Sequence, residues 1–381
     1  DLNYDNPEVQ RAMLRVAQFW LDLGVDAFRV DATPYLFERE GTNCENLPET
    51  HAYLKRLRAF VDGYAPGTML LSEANMWPED VRPYFGGDPN DPSVKGDEFH
   101  MNFHFPVMPR IYMALARQDR TAIDEILART PPLPEGCQWA TFLRCHDELT
   151  LEMVTPEERE EMWRIYAPEP RMKSNLGIRR RLATLLGNDK ARIELANSIL
   201  FSLPGSPVIW YGDEIGMGDN IFLEDRRGLR TPMQWADTKS GGFSEADPSQ
   251  LYQPIITDDT YGYHRVNVAA QRADPDSLLN HMRRMLMVRK ANPAFGRGDF
   301  EMLYPENKAI LACLRSYGGV TVLSVNNLST DAQSAALDLS RFAGQTPVDL
   351  FTGERLAAVT EDPWPIELPP SGFRWLRFAA V

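Results

Sequence analysis

The stretch GVDAFRVDATPYL, from Gly24 to Leu36, decides the fold. An apolar, strand-forming run carries Arg29 and Asp31 two residues apart, which in a strand sets both on the face of Val25 and Ala27. A strand that buries an arginine with an aspartate at its end is placed for chemistry rather than for packing alone. Upstream, NPEVQRAMLRVAQFWLDLG repeats apolar residues at Val9, Met13, Val16, Ala17, Trp20 and Leu21, with Pro7 in the first turn and Gly24 as a stop. That spacing predicts an amphipathic helix feeding directly into the strand.

The alternation continues outward. The helix ETHAYLKRLRAFVDGY leads to the strand TMLLSE; EFHMNFHF precedes the helix VMPRIYMALARQ; then follow the strand WATFLRCHDE, the helix RIELANSILFSLPG and the strand PVIWYGDEIG. Strand and helix in turn mean an α/β fold with a parallel sheet, and no glycine-rich phosphate loop follows any strand. Long insertions at Met153–Leu182 and Gly216–Tyr263 follow strands on the side where barrels of this kind carry their active sites. After DSLLNHMRRMLMVRKANP the texture changes to short alternating segments broken by Gly, Asn and Pro, which predicts an antiparallel β domain. The expected division is residues 1–296 for a barrel-type domain and 297–381 for a β-sandwich.

The 381 residues are 43% hydrophobic and 25% charged, enough for a sizeable core. The net charge of -14 speaks against nucleic acid or an anionic membrane as a partner and suits a small-molecule substrate. Four cysteines, Cys44, Cys137, Cys145 and Cys313, lack disulfide or metal spacing, which points to reduced thiols and a cytoplasmic location.

Three strands finish on a carboxylate: Asp31, Glu73 and Asp147. One such acid is usually a cap or a solvated loop charge, whereas three in corresponding positions of successive units converge. Arg29 pairs with Asp31 and favours an anion suited to nucleophilic attack, while a glutamate facing two anions is pushed towards its protonated form, as a general acid requires. His146 stands ready to donate to a substrate hydroxyl. Two acids for nucleophile and proton work, with a third beside an electron-poor centre, match glycoside chemistry with retention. Trp77, Tyr35, Tyr211 and Tyr263 are candidates for stacking on sugar rings. Cys145 is expected to share a strand face with Leu143 and Asp147 as a packing residue.

GVDAFRVDATPYL, LLSEANMWPEDV and FLRCHDELTLEM resemble, in order, three signature segments of the α-amylase superfamily. Within it, HMNFHFPVMPRIYMAL, CHDELTLEMV, YGDEIGMGDNI, RTPMQW, GGFS and YGYHRVNVAAQ resemble the trehalose synthase family, whose members isomerise maltose to trehalose by intramolecular glucosyl transfer. The RTPMQW segment alone also occurs in oligo-1,6-glucosidases and related α-glucosidases.

The resemblance implies Asp31 as nucleophile, Glu73 as general acid/base and Asp147 as transition-state stabiliser, with Arg29, His146, Asp213 and Arg230 binding substrate. It also implies a structural calcium ion near Tyr35, Leu36 and Glu38, and no organic cofactor. Only about strands 4 to 8 of the family's (β/α)8 TIM barrel are legible, so the N-terminal barrel segment is expected from a longer chain or a companion chain; a homo-oligomer is compatible. The reading is thus a retaining transglucosylation between maltose and trehalose through a glucosyl-aspartate. The alternatives are an α-glucosidase of the oligo-1,6-glucosidase type, or an inactive truncated fragment or sugar-binding pseudoenzyme. In small departures from the pattern, FLEDRR stands before RTPMQW, and Cys145 occupies a position where asparagine is usual.

Overall fold

The computed structural model describes residues 2–379. The chain divides into two compact units, Asp1–Pro106 with Ile126–Thr141, and Val107–Glu125 with Phe142–Val381. This division by compactness groups residues from Val107 onward with the C-terminal strands, for a reason visible in the second unit's polar contacts.

In the first unit, α1 (Pro7–Asp22) starts where the Asn6 side chain accepts the Glu8 N–H and Pro7 supplies a preset φ. It leads into β1 (Ala27–Val30), α2 (Pro48–Tyr64), β2 (Met69–Ser72), β3 (Met101–Phe103) and β4 (Gln138–Phe142). Neighbouring strands β1, β2, β3 and β4 pair in parallel, with Arg29 beside Leu71 and Ser72 beside Asn102. The core under this sheet is Leu54 and Val61 of α2, Leu70 of β2, then Tyr84, Phe85, Phe99 and Trp139.

β1 pairs with β2 on one side and has no strand on its other side among the described residues. This corrects the expected burial of the charged pair: the Asp31 side chain is 72% exposed and that of Arg29 34%. The same opening affects α1, whose apolar stripe is only partly covered: Ala17 and Leu21 are buried, whereas Val16, Phe19 and Trp20 are exposed. A cavity of about 360 Å³ lies between this helix face and β1, lined by Met13, Val16, Trp20, Phe28 and Asp31 among others.

In the second unit, the helix Lys190–Ser202 is capped by Asp189, whose carboxylate accepts the N–H groups of Ala191 and Arg192. Its residues from Leu195 to Ser202 are all buried. PVIWYGDEIG is only briefly a strand, Ser206–Val208, before a 3-10 turn at Asp213–Ile215. The C-terminal part is antiparallel. Strands Asp299–Leu303, Ile310–Tyr317, Val320–Asn327, Phe373–Ala379 and Val348–Asp349 form one sheet, and Gln333–Leu337 pairs with Trp364–Leu368 in a second. Ile310, Leu323, Leu376 and Phe378 of the first sheet pack with Leu337, Trp364 and Ile366 of the second, the core of a sandwich.

Buried polar contacts tie this sandwich to helical residues of the same unit. Ser198 donates to Asn326 (2.6 Å) and accepts from the indole of Trp375 (3.0 Å), and the Arg120 guanidinium donates to the carbonyls of Pro305, Asn307 and Ile310. Compactness therefore follows these contacts rather than the change of texture near residue 297. No described helix is long and apolar enough to cross a membrane.

Candidate active site

β1 ends at Val30, and the chain turns sharply through Ala32, whose φ of 46° is left-handed. The turn is held from β2: Glu73 donates its N–H to the Val30 carbonyl at 3.0 Å, and the Glu73 carbonyl accepts the Thr33 hydroxyl at 3.0 Å. Backbone bonding therefore brings the two strand ends, and with them Asp31 and Glu73, to the same place.

Arg29 serves both acids. Its Nη1 lies 2.7 Å from Oδ1 of Asp31 and its Nη2 2.5 Å from Oε1 of Glu73. Asp31 faces solvent, whereas the Glu73 side chain is 21% exposed. Burial pushes the Glu73 carboxyl above the usual glutamate range, and the neighbouring Asp31 adds to the rise, against the pull of Arg29. The carboxyl is raised in the expected direction, chiefly by burial, with one neighbouring anion, Asp31, contributing rather than two.

β4 stops at Phe142, the first residue of the second unit's longer segment, so Leu143 to Asp147 form a bend and not a strand face. This corrects the packing role given to Cys145: its sulfur accepts the Asp147 N–H at 3.4 Å, the bond an asparagine side chain makes in an Asx turn. The fully buried Arg144 fastens the bend, donating to the Asp147 carbonyl at 2.8 Å and the Arg180 carbonyl at 2.6 Å. The Asp147 carboxylate receives Arg230 Nη2 at 2.5 Å and Arg226 Nη1 at 2.9 Å, both on Oδ1, while Nε2 of His146 lies 3.3 Å from Oδ2. Arg230 also donates through Nε to the His146 carbonyl at 2.8 Å.

Arg226 is the residue that reading the sequence passed over. The only sign of it was the extra arginine of FLEDRR, four residues before Arg230, a helical spacing within a loop.

Asp213 takes a different place from the one expected. It is 4% exposed, paired with the buried Arg181 at 3.2 Å, and burial pushes its carboxyl up to about 6 against the pull of Arg181 and Arg144. The acid is an internal partner of an arginine, not a surface group, because Arg181 reaches it from outside its own strand–turn segment. Among the aromatics, Tyr35 is exposed, with its hydroxyl donating to Glu45. The Trp77 ring carries Arg129 at 3.9 Å, the Tyr211 hydroxyl donates to the Thr231 carbonyl, and Tyr263 packs against His264.

Tyr35, Leu36 and Glu38 follow the turn after Asp31. Glu38 is exposed, and its carbonyl accepts from Arg39 at 2.6 Å. The three offer oxygen donors only, the chemistry a hard cation takes. Among the described residues no group of three His, Cys, Asp or Glu side chains is placed to hold a metal.

Residues 1–167 and 179–298 match the family model described as alpha amylase, catalytic domain, and residues 300–375 that described as maltogenic amylase, C-terminal domain. The trehalose synthase/amylase TreS of Mycobacterium tuberculosis (strain ATCC 25618 / H37Rv) is 57% identical over 99% of this chain and 63% of its own length. The trehalose synthase of Thermus thermophilus is 52% identical over 98% of this chain and 38% of its own length. The chain thus spans 63% and 38% of the length of these two relatives. Among solved structures, an alpha-amylase from H. orenii superimposes with a TM-score of 0.73 at 22% identity, covering 100% of this chain and 66% of that one. The trehalulose synthase MutB, in complex with Tris, gives 0.69 at 20% identity, with 100% and 70% covered.

Proposed function

The chain belongs to the α-amylase family, and from that premise we propose that it carries the reacting groups of a retaining glucosyl transfer that interconverts maltose and trehalose. The observation that carries this reading is Arg29, which bridges an exposed aspartate and a more buried glutamate whose carboxyl is held above the usual glutamate range. A carboxylate open to a substrate carbon and, beside it, a carboxyl shifted towards its protonated form are the two parts that retention requires.

Asp31 attacks the anomeric carbon of the non-reducing glucosyl unit as Glu73 gives its proton to the glycosidic oxygen. The bond to the departing glucose breaks and a glucosyl ester on Asp31 forms. The freed glucose turns over, and its anomeric hydroxyl attacks the same carbon from the face it left. Glu73 recovers the proton, the ester bond to Asp31 breaks, and the product is trehalose. Asp147, the position that the family resemblance assigns to transition-state stabilisation, accepts hydrogen bonds from sugar hydroxyls with His146 and Arg230 beside it.

Water as acceptor turns the same steps into hydrolysis, and the exposure of Asp31 favours that second reading, an α-glucosidase. The open side of β1 and the bare Val16, Phe19 and Trp20 support further barrel strands packing there, from a longer chain or a companion chain. Left uncovered, that surface favours an inactive product. A calcium ion would be held by the carbonyls of Tyr35 and Leu36 and the carboxylate of Glu38, and its charge would brace the turn after Asp31; chelation would then lower the Tm.

Incubating the whole protein with maltose and separating the products by chromatography tests the proposal. Trehalose formation is expected; glucose alone selects the hydrolase, and unchanged maltose selects the inactive product.

A further inference from the structure

The two arginines on Asp147 are held by different anchors. Arg230 sits in a segment pinned from the interior: the Leu229 carbonyl accepts from Arg181 Nη2 at 3.0 Å and from the Trp210 indole at 3.2 Å, and the Thr231 carbonyl accepts the Tyr211 hydroxyl at 2.6 Å. Arg226 sits in a loop closed at its base, where Asn220 donates its N–H to the Gly228 carbonyl at 3.2 Å. Gly228 is needed there, since a Cβ would lie 2.2 Å from the Asn220 carbonyl oxygen.

The outer part of that loop is tied by its backbone carbonyls to the Arg179 side chain. The Arg179 guanidinium donates to the carbonyls of Ile221 (3.1 Å), Leu223 (2.6 Å) and Asp225 (2.5 Å), and its Nε donates to the Arg171 carbonyl (2.5 Å). Asp225, the residue before Arg226, has a φ of 49°, a conformation that a residue with a Cβ adopts only when its surroundings impose it. The planar fork of an arginine is suited to holding several carbonyls of one strained turn at once.

We infer that Arg179 is a positioning residue for the reaction, fastening the Ile221–Asp225 turn so that Arg226 reaches the carboxylate of Asp147. The inference rests on the proposed role of Asp147. It separates the two guanidiniums: loosening Arg179 releases Arg226 and leaves Arg230, with its interior anchors, in place.

The test is a double-mutant cycle in the whole protein, following maltose consumption and fitting kcat and KM. Arg226→Gln is expected to lower kcat/KM about ten- to a hundredfold, the scale of a misplaced site group. Arg179→Gln is expected to lose nearly as much and Arg179→Lys less, because lysine keeps the charge and one contact. The double variant Arg179→Gln/Arg226→Gln should be no slower than Arg226→Gln, since Arg179 acts through Arg226. Losses that multiply, or wild-type kinetics in Arg179→Gln, overturn the inference. If Arg179→Gln does not fold, the cycle is run with Arg179→Lys under the same criteria. Product identity is read separately: wild-type protein that makes only glucose overturns the isomerase reading, while the cycle still decides the role of Arg179.

Discussion

Two charge clusters with opposite bookkeeping stand in this chain. In the first, one guanidinium, Arg29, serves two carboxylates, Asp31 and Glu73. In the second, two guanidiniums, Arg226 and Arg230, converge on one oxygen of Asp147. In the first cluster burial, helped by the second acid, shifts the Glu73 carboxyl towards its protonated form, the direction that moving a proton between oxygens requires. In the second the two guanidiniums fix the direction of one carboxylate, Arg226 doing so while it also lies 3.2 Å from Asp225 and 3.8 Å from Glu148. Proton transfer and orientation are separate tasks, and the two clusters divide them.

The sharpest test of that contrast is Asp31→Asn, expected to lower maltose turnover by roughly 10⁴-fold or more, as loss of a nucleophile does. Turnover within tenfold of wild type would remove Asp31 from the role. Next, Glu73→Gln should slow the reaction about 10²- to 10⁴-fold, the usual range for a lost general acid. With an α-glucosyl fluoride, whose leaving group needs no proton, the same variant should accumulate a glucosyl adduct on Asp31, seen by intact-mass measurement. Asp147→Asn is expected to cost about 10²- to 10³-fold in kcat/KM, the scale of one preorganised electrostatic contact. A smaller loss than for Arg226→Gln would break the idea that the arginines act through it.

The pH profile carries the next effect. Glu73 must be protonated to release the leaving glucose, so kcat/KM falls as pH rises through its raised pKa. Arg29 opposes that rise, so Arg29→Gln should move the alkaline limb to higher pH. A limb that moves down would contradict the assignment.

The smallest effect concerns stability and the third arginine–acid pair, Arg181 with Asp213. The folded-state pKa of Asp213 is raised from 3.8 to about 6, so the folded chain binds its proton more tightly than the unfolded chain. Its contribution is complete below 3.8 and is lost as pH rises through about 6. The Tm of Asp213→Asn should therefore decline less than that of wild type across this window, as measured by thermal melts.

Asp31 and Glu73 were legible in the sequence because each follows a strand directly, and parallel pairing brings successive strand ends together. Arg29 was legible from its spacing of two. Its exposure was not, since the alternation of a strand says nothing about which edge is covered. Asp213 closes an apolar run in the sequence as the others do, yet the strand ends at Val208 and an arginine 32 residues earlier takes the acid inside. Arg179 and Arg226 act through backbone carbonyls and loop geometry, which leave no side-chain pattern to read. The strand of Cys145 was over-extended because the apolar run FLRC continues past Phe142, while Arg144 bends the chain there.

The ties between Ser198, Arg120 and the C-terminal strands bear on inheritance. The change of texture near residue 297 has the look of a seam for exchanging one β-sandwich for another. Cutting there would strip the Arg120 guanidinium of three carbonyl acceptors and leave it only Asp124, 3.1 Å away, among these partners. Chimeras joined at this point need the acceptor loop Pro305–Ile310 carried along or Arg120 replaced, and in the intact chain the sandwich and the helix Lys190–Ser202 should melt in a single calorimetric transition.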